Sequence, residues 1–119
     1  MKELSNREME LMEFLWKNPE GLTMRQLYDM MPEPRTHFNT VSTFIHRLEE
    51  EGFVRHEAIA GHLFRYIASF SRWEYEKRVQ NNFIDRFFDG SHFDFVKRLV
   101  QEEKITKEEL EELLRLINN

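Results

Sequence analysis

One stretch limits the folds open to this chain more than any other. It runs from Thr36 to Gly52 and reads Thr-His-Phe-Asn-Thr-Val-Ser-Thr-Phe-Ile-His-Arg-Leu-Glu-Glu-Glu-Gly. Val41, Phe44, Ile45 and Leu48 recur at helical spacing and make one apolar stripe. Gly52 ends the helix, because glycine takes the left-handed backbone of a C-cap without steric cost. A turn of about 100° per residue puts Asn39, Ser42, Thr43 and His46 on the face opposite the stripe. A face needed only for solvation is more often filled with Lys and Glu, which favour helix. Asn, Ser, Thr and His give up some helix propensity and bring groups that donate and accept hydrogen bonds. Such a face suits base edges in a DNA major groove. An ordinary surface face is the other reading, and the helix alone leaves both open.

The flanking sequence narrows the choice. Ser5 with Glu8 forms a capping box that starts a first helix. Its stripe is Met9, Met12 and Trp16, with Leu11 and Leu15 beside it. Asn18-Pro19-Glu20-Gly21 breaks that helix. Thr23 with Gln26 is a second capping box, and Leu27, Met30 and Met31 line a short second helix that Pro32 and Pro34 close. Three helices with the last two joined by a short turn are a helix-turn-helix plan. After Gly52 the pattern changes to two strand-like runs, Phe53–Ala58 and Leu63–Ala68, joined by Ile59-Ala60-Gly61-His62 as a hairpin loop. A helix-turn-helix followed by a hairpin is a winged helix. The wing carries Arg55, His62 and Arg65, placed to meet phosphates beside the groove. The alternative is a hairpin that covers the core while its arginines are merely solvated.

The remaining segment, residues 71–119, reads as three helices with no strand. Ser71 with Glu74 caps the first, where Tyr75, Val79, Phe83 and Phe87 repeat every four residues and Ile84 and Phe88 flank them. Asp89-Gly90 ends it. Phe93, Val96, Leu99 and Val100 mark a shorter helix. Thr106 with Glu109 caps the last, whose stripe is Leu110, Leu113, Leu114 and Ile117. A segment of this size rarely holds a core by itself, and exposed apolar stripes of this width mark an interface. The expected organisation is therefore mostly α: a winged-helix DNA-binding domain over residues 1–70, and a helical dimerisation domain over residues 71–119, intertwined with its twin. The competing arrangement folds the tail back on the winged helix of its own chain.

Composition removes several function classes. The chain has 119 residues, 40% hydrophobic and 33% charged, which is globular rather than disordered. It has no cysteine, so disulfides and thiolate metal sites are excluded and a reducing compartment is compatible. Met-Lys-Glu-Leu-Ser lacks the apolar run of a signal peptide, and no apolar stretch approaches a membrane span. A cytoplasmic protein with no direct membrane insertion is the simplest reading. The net charge of −5 is spread over both halves, so any DNA site must be a local patch. His37, His46, His56 and His62 fall on a helix start, a groove face, a strand and a loop with no short pair spacing. That does not make the three or four converging ligands of a zinc site, so no metal and no cofactor is expected. Glu49-Glu50-Glu51 reads as a solvated helix end. No nucleophile, base and orienting group can be assembled, which argues against an enzyme. Trp73 and Tyr75 fit either an effector pocket or, more commonly, a core or interface.

Taken in order, these pieces resemble the BlaI/MecI/CopY family of bacterial winged-helix repressors, the penicillinase-repressor-like proteins. The resemblance covers essentially the whole length. It rests on Leu4-Ser-Asn-Arg-Glu-Met-Glu-Leu-Met-Glu-Phe-Leu-Trp16, on Asn39-Thr-Val-Ser-Thr-Phe-Ile-His-Arg-Leu48 followed by Gly52-Phe53-Val54, and on Glu108-Glu-Leu-Glu-Glu-Leu113. It implies a homodimer whose winged helices each bind half of a palindromic operator and whose C-terminal helices interlock. In the β-lactam-resistance members it implies induction through a membrane zinc-protease sensor and a cut in the dimerisation domain; the matching bond here is Arg98-Leu99. The copper-responsive members sense metal through cysteines, which this chain lacks. Thr40, Thr43 and Arg47-Leu48 match the family's recognition helix. Ser42 and Asn39 stand where the methicillin repressor has arginine and lysine, so a bidentate guanine reader is absent at Ser42.

The expected base contacts are thus Asn39, Thr40, Ser42, Thr43 and His46, with Thr40 toward the flank. The expected backbone contacts are His37, Arg47, Arg55, His62 and Arg65. The expected dimer interface comprises Tyr75, Val79, Phe83, Ile84, Phe87, Phe88, Phe93, Val96, Leu99, Leu110, Leu113, Leu114 and Ile117. A winged helix used as a protein-interaction module, without DNA, is the main alternative function, and the acidic total suits it.

Overall fold

The structure is a computed structural model that describes residues 2–118. The chain divides into two compact units, Met1–Lys77 and Arg78–Asn119. The first contains α1 (Asn6–Lys17), β1 (Leu22–Thr23), α2 (Met24–Met30), α3 (Phe38–Glu50), β2 (Val54–Ala60), β3 (Leu63–Ala68) and the start of α4 (Arg72–Phe88). The strands form one antiparallel sheet in the order β1-β3-β2. This is a winged helix. β2 runs two residues beyond its expected end, so the hairpin turn is only Gly61-His62.

The capping boxes read from the sequence are formed. Ser5 and Glu8 cap α1 reciprocally, as Thr23 and Gln26 cap α2. Ser71 and Glu74 do the same at α4. Each satisfies backbone N–H groups that a helix start leaves without partners. Glu8 is also the buried charged residue of this unit. Burial alone would push its carboxyl up, but the Lys2 ammonium at 2.7 Å and the Ser5 backbone N–H outweigh that and hold it below the usual carboxylate value.

The core is built from Leu11, Met12 and Leu15 of α1, Leu27 of α2, Val41, Ile45 and Leu48 of α3, and Phe53, all essentially fully buried. The α1 stripe is therefore centred one position away from the Met9, Met12, Trp16 reading, with Met9 and Trp16 only half-buried. Trp16 sits at the rim, where its Nε1–H donates to the Phe70 carbonyl at 2.9 Å. Each fully buried Leu or Ile contributes about 1.5–3 kcal/mol, which is what fixes the side of α3 that faces inward.

Tyr75, grouped by periodicity with the interface stripe, belongs instead to this core. It is buried, its ring lies 5.7 Å from Trp16 and 6.1 Å from Phe53, and its hydroxyl accepts from the Leu4 N–H at 2.7 Å. With Arg72 paired to Glu13 at 2.8 Å, the first turn of α4 is tied into the winged helix.

β1 was not expected. Two residues are too few to show periodicity, and Thr23 doubles as the α2 N-cap. Gly21 makes the strand possible. Its φ is +99°, and a Cβ there would lie 2.8 Å from Ile67 Cγ1 and 3.1 Å from the Tyr66 carbonyl oxygen. Both the left-handed backbone and the close strand exclude a side chain. Gly21→Ala is therefore expected to cost about 1–3 kcal/mol, read as an earlier midpoint in urea unfolding. An unchanged midpoint would contradict the tight approach of β1 to β3.

The second unit holds the rest of α4 with α5 (His92–Gln101) and α6 (Lys107–Asn118). Asp89 and Gly90 take positive φ and stop α4, and the Gly90 N–H returns to the Ile84 carbonyl at 3.1 Å. Ser91 caps α5, and the Thr106–Glu109 box caps α6. Phe83, Phe88 and Phe95 form an aromatic triangle with centroids 5.2 to 5.9 Å apart, and Ile84 is fully buried. Among the described residues, α5 and α6 bury none of their side chains fully. No helix among the described residues is long and apolar enough to cross a membrane.

Candidate nucleic-acid interface

α3 begins at an unusual cap. His37 is the N-cap, and its Nδ1 accepts from the Asn39 N–H at 3.3 Å. With Val41, Ile45 and Leu48 buried, the first half of the helix presents Asn39, Thr40 and Thr43 as exposed side chains and Ser42 as half-buried. Thr43 Oγ1 donates to the Asn39 carbonyl at 2.9 Å. The hydroxyl proton is thus used within the helix, which leaves the methyl group and the oxygen's lone pairs as the contact surface. The Asn39 amide makes no hydrogen bond within the described protein, so both its donor and acceptor are available.

The second half of α3 is different, because its polar groups are engaged by the hairpin and the N-terminal arm. His46 Nε2 lies 3.4 Å from the Tyr66 hydroxyl, and His56 Nδ1 meets the Glu49 carboxylate. His56 also stacks edge-on against Phe64, with centroids 5.2 Å apart. Burial, with the nearby Glu49 charge, pushes the Tyr66 hydroxyl above its ordinary value. Glu51 pairs with Lys2 at 3.0 Å. The acidic end of α3, read from sequence as merely solvated, is therefore partly engaged, with Glu51 paired to Lys2 and Glu49 in contact with His56. The Glu49–His56 and Lys2–Glu51 pairs join segments that only the fold brings together, so no spacing in the chain announces them.

The hairpin alternates. His56 and Tyr66 are register partners and face α3. Arg55 and Arg65 lie on the other side of the strands, with Glu57 opposite Arg65. Arg55 Nη1 is 2.6 Å from Glu57, which holds that carboxyl below the usual range, and Arg65 Nη1 donates to the Glu20 carbonyl at 3.4 Å. His62 is exposed at the turn, and Arg47 is exposed over the Phe44 ring at 5.8 Å. Among the described residues, no three His, Cys, Asp or Glu side chains converge as a metal site.

In the second unit, Ile84 and Phe88 are already buried within the chain. Val79, Leu99 and Leu110 are half-buried. Phe83, Phe87, Phe93, Val96, Leu113, Leu114 and Ile117 are exposed, Phe93 and Ile117 by more than 70%. So large an apolar area on one small helical unit is unusual for a free surface. Trp73, in the first unit, is also exposed.

The penicillinase repressor family matches residues 4–119 of the chain. The penicillinase repressor of Bacillus licheniformis is 23% identical over 115 residues, covering 97% of this chain and 89% of that protein. The methicillin resistance regulatory protein MecI of Staphylococcus aureus (strain N315) is 23% identical over 116 residues, covering 98% of this chain and 94% of MecI. MecI of Mammaliicoccus sciuri is similar to the same extent.

Proposed function

Because this chain belongs to the penicillinase repressor family, a family of transcriptional regulators and not of enzymes, we propose that it represses transcription as a homodimer on a palindromic DNA operator. The observation that carries this reading is the first half of α3. Its inward side is locked by Val41, Ile45 and Leu48, and its outward side offers Asn39, Thr40, Ser42 and Thr43 with no acidic group among them. A helix-turn-helix brings that part of its second helix to the base edges. His37, Arg47 and His62 flank it as backbone contacts. The winged-helix unit, which takes in the first turn of α4, is the DNA-binding domain in this reading, and the helical unit after it the dimerisation domain, where the exposed apolar side chains of α4, α5 and α6 supply the area that a partner copy buries.

The Staphylococcus aureus relative is a methicillin resistance regulatory protein, and the resemblance to the resistance repressors implies induction through a membrane protease sensor. The bond that such a sensor pathway would open, Arg98-Leu99, lies inside α5. Its cleavage requires that helix to unwind locally, so cutting and loss of the dimer interface are one event in this reading.

The experiment is duplex binding across a salt series. Phosphate neutralisation makes affinity fall steeply with salt, whereas a protein-interaction module has no such dependence on DNA. Within that experiment, Arg55→Ala and Arg65→Ala are expected to weaken selected and random duplexes about equally. Each should flatten the salt slope by roughly one unit. Both arginines must first leave Glu57 and the Glu20 carbonyl. A loss confined to the selected duplex would mean that the wing reads bases.

A further inference from the structure

Where α2 meets the start of α3, two arginines share one aromatic ring. The Arg25 guanidinium lies 5.6 Å from the centroid of Tyr28, and the Arg35 guanidinium 5.4 Å from it. Arg25 is in the first turn of α2, and Arg35 is in the connection that leads to α3. The Tyr28 ring in turn meets Phe38 edge-on at 5.4 Å, and Phe38 is the first residue of α3. Two cations are thereby seated on a ring that is anchored to the residue opening the recognition helix.

Their acidic neighbours hold them only loosely. Arg25 Nε is 3.6 Å from Asp29 and Arg35 Nε is 3.3 Å from Glu33, and neither guanidinium forms a hydrogen bond among the described residues. The Arg25 side chain is 73% exposed. A guanidinium held over an aromatic ring without a hydrogen bond of its own keeps N–H donors for a phosphate, which its planar fork matches. Stacking also reduces the rotamer freedom that a free arginine loses on binding. In a helix-turn-helix the first helix of the motif crosses the sugar-phosphate backbone while the second enters the groove. An acidic protein needs local cations at that crossing.

We propose that Arg25 and Arg35, seated on Tyr28, form a phosphodiester-binding clamp that holds the DNA backbone beside the N-terminal end of α3. The proposal rests on the reading of α3 as the recognition helix. Its ligand is the phosphate backbone of any sequence, so it positions the base readers without reading bases itself.

The test uses the full chain, a duplex selected by the wild type and a random duplex, each titrated between 50 and 200 mM salt by fluorescence anisotropy. Arg25→Ala and Arg35→Ala should each weaken both duplexes by a similar factor and flatten the log–log salt slope by about 0.9, the double variant by about twice that. Arg25→Lys with Arg35→Lys should retain the slope while binding more weakly, since the charge remains and the stacked fork is lost. If wild type binds with a steep slope and the double alanine variant keeps it, the clamp is overturned and α3 stands. If wild type binds neither duplex, the reading of α3 falls and the clamp falls with it.

Discussion

Phe83→Asp is expected to sediment as a monomer at micromolar concentration, and the wild type as a dimer. Phe83 is 42% exposed on α4, beside Phe87 at 5.2 Å and Phe95 at 5.4 Å. It is therefore anchored from below and open above. A phenylalanine buried on association contributes about 2 kcal/mol, and a twofold interface uses each position twice. Losing both copies costs on the order of 4 kcal/mol, or about a thousandfold in the dimer dissociation constant. Two desolvated carboxylates add to that cost. Phe83 also supports Phe88 and Phe95 within its own chain, so a second variant separates association from folding. Ile117→Asp changes a side chain that is 79% exposed and has no role in the aromatic triangle. It should weaken the dimer while α4 and α5 keep their helicity. Persistence of the dimer in both variants would contradict the interface.

The helices were legible because their signals are local. Ser5 with Glu8, Thr23 with Gln26, Ser71 with Glu74 and Thr106 with Glu109 each announce a helix start within four residues, and each is formed. The hairpin was legible from its two β-rich runs and Gly61. What sequence could not supply is tertiary placement. Tyr75 shares the α4 periodicity with Val79 and Phe83, but its hydroxyl is claimed by the Leu4 N–H, a partner remote in sequence. β1 exists only because Gly21 lets it lie against β3. At the candidate interface, the outward run of Asn39 to Thr43 followed from the wheel, since buried and exposed faces of one helix are opposite by geometry. The Glu49–His56 pair and the Arg35–Tyr28 stack did not, because each crosses from a loop or strand to a helix. Arg25 and Tyr28 are three apart on one helix, yet only the fold shows that Arg35 joins them.

The second large effect concerns sequence reading. Asn39→Ala should relax preference at one base pair in each half-site while leaving the fold and the dimer intact. Asn39 is exposed at the start of α3, its side-chain amide is unengaged, and a carboxamide pairs bidentately with adenine in the major groove. A wrong base at such a position costs about 1–3 kcal/mol, and a dimer on a palindrome pays that difference in both half-sites. In the proposed reading Thr43 and Thr40 would offer methyl groups to thymine, and Thr43 keeps its hydroxyl bonded to the Asn39 carbonyl. The measurement that bears most directly on the whole reading is selection of binding sites from a random duplex pool, run in parallel with wild type and Asn39→Ala. The wild type should recover an inverted repeat whose half-sites are separated by one helical turn or a multiple, about 34–36 Å per turn, and the variant should recover the same repeat with one position per half-site relaxed. Recovery of the same site at the same stringency by both proteins, or of no repeat by the wild type, would contradict α3 as the reading helix of a dimeric repressor.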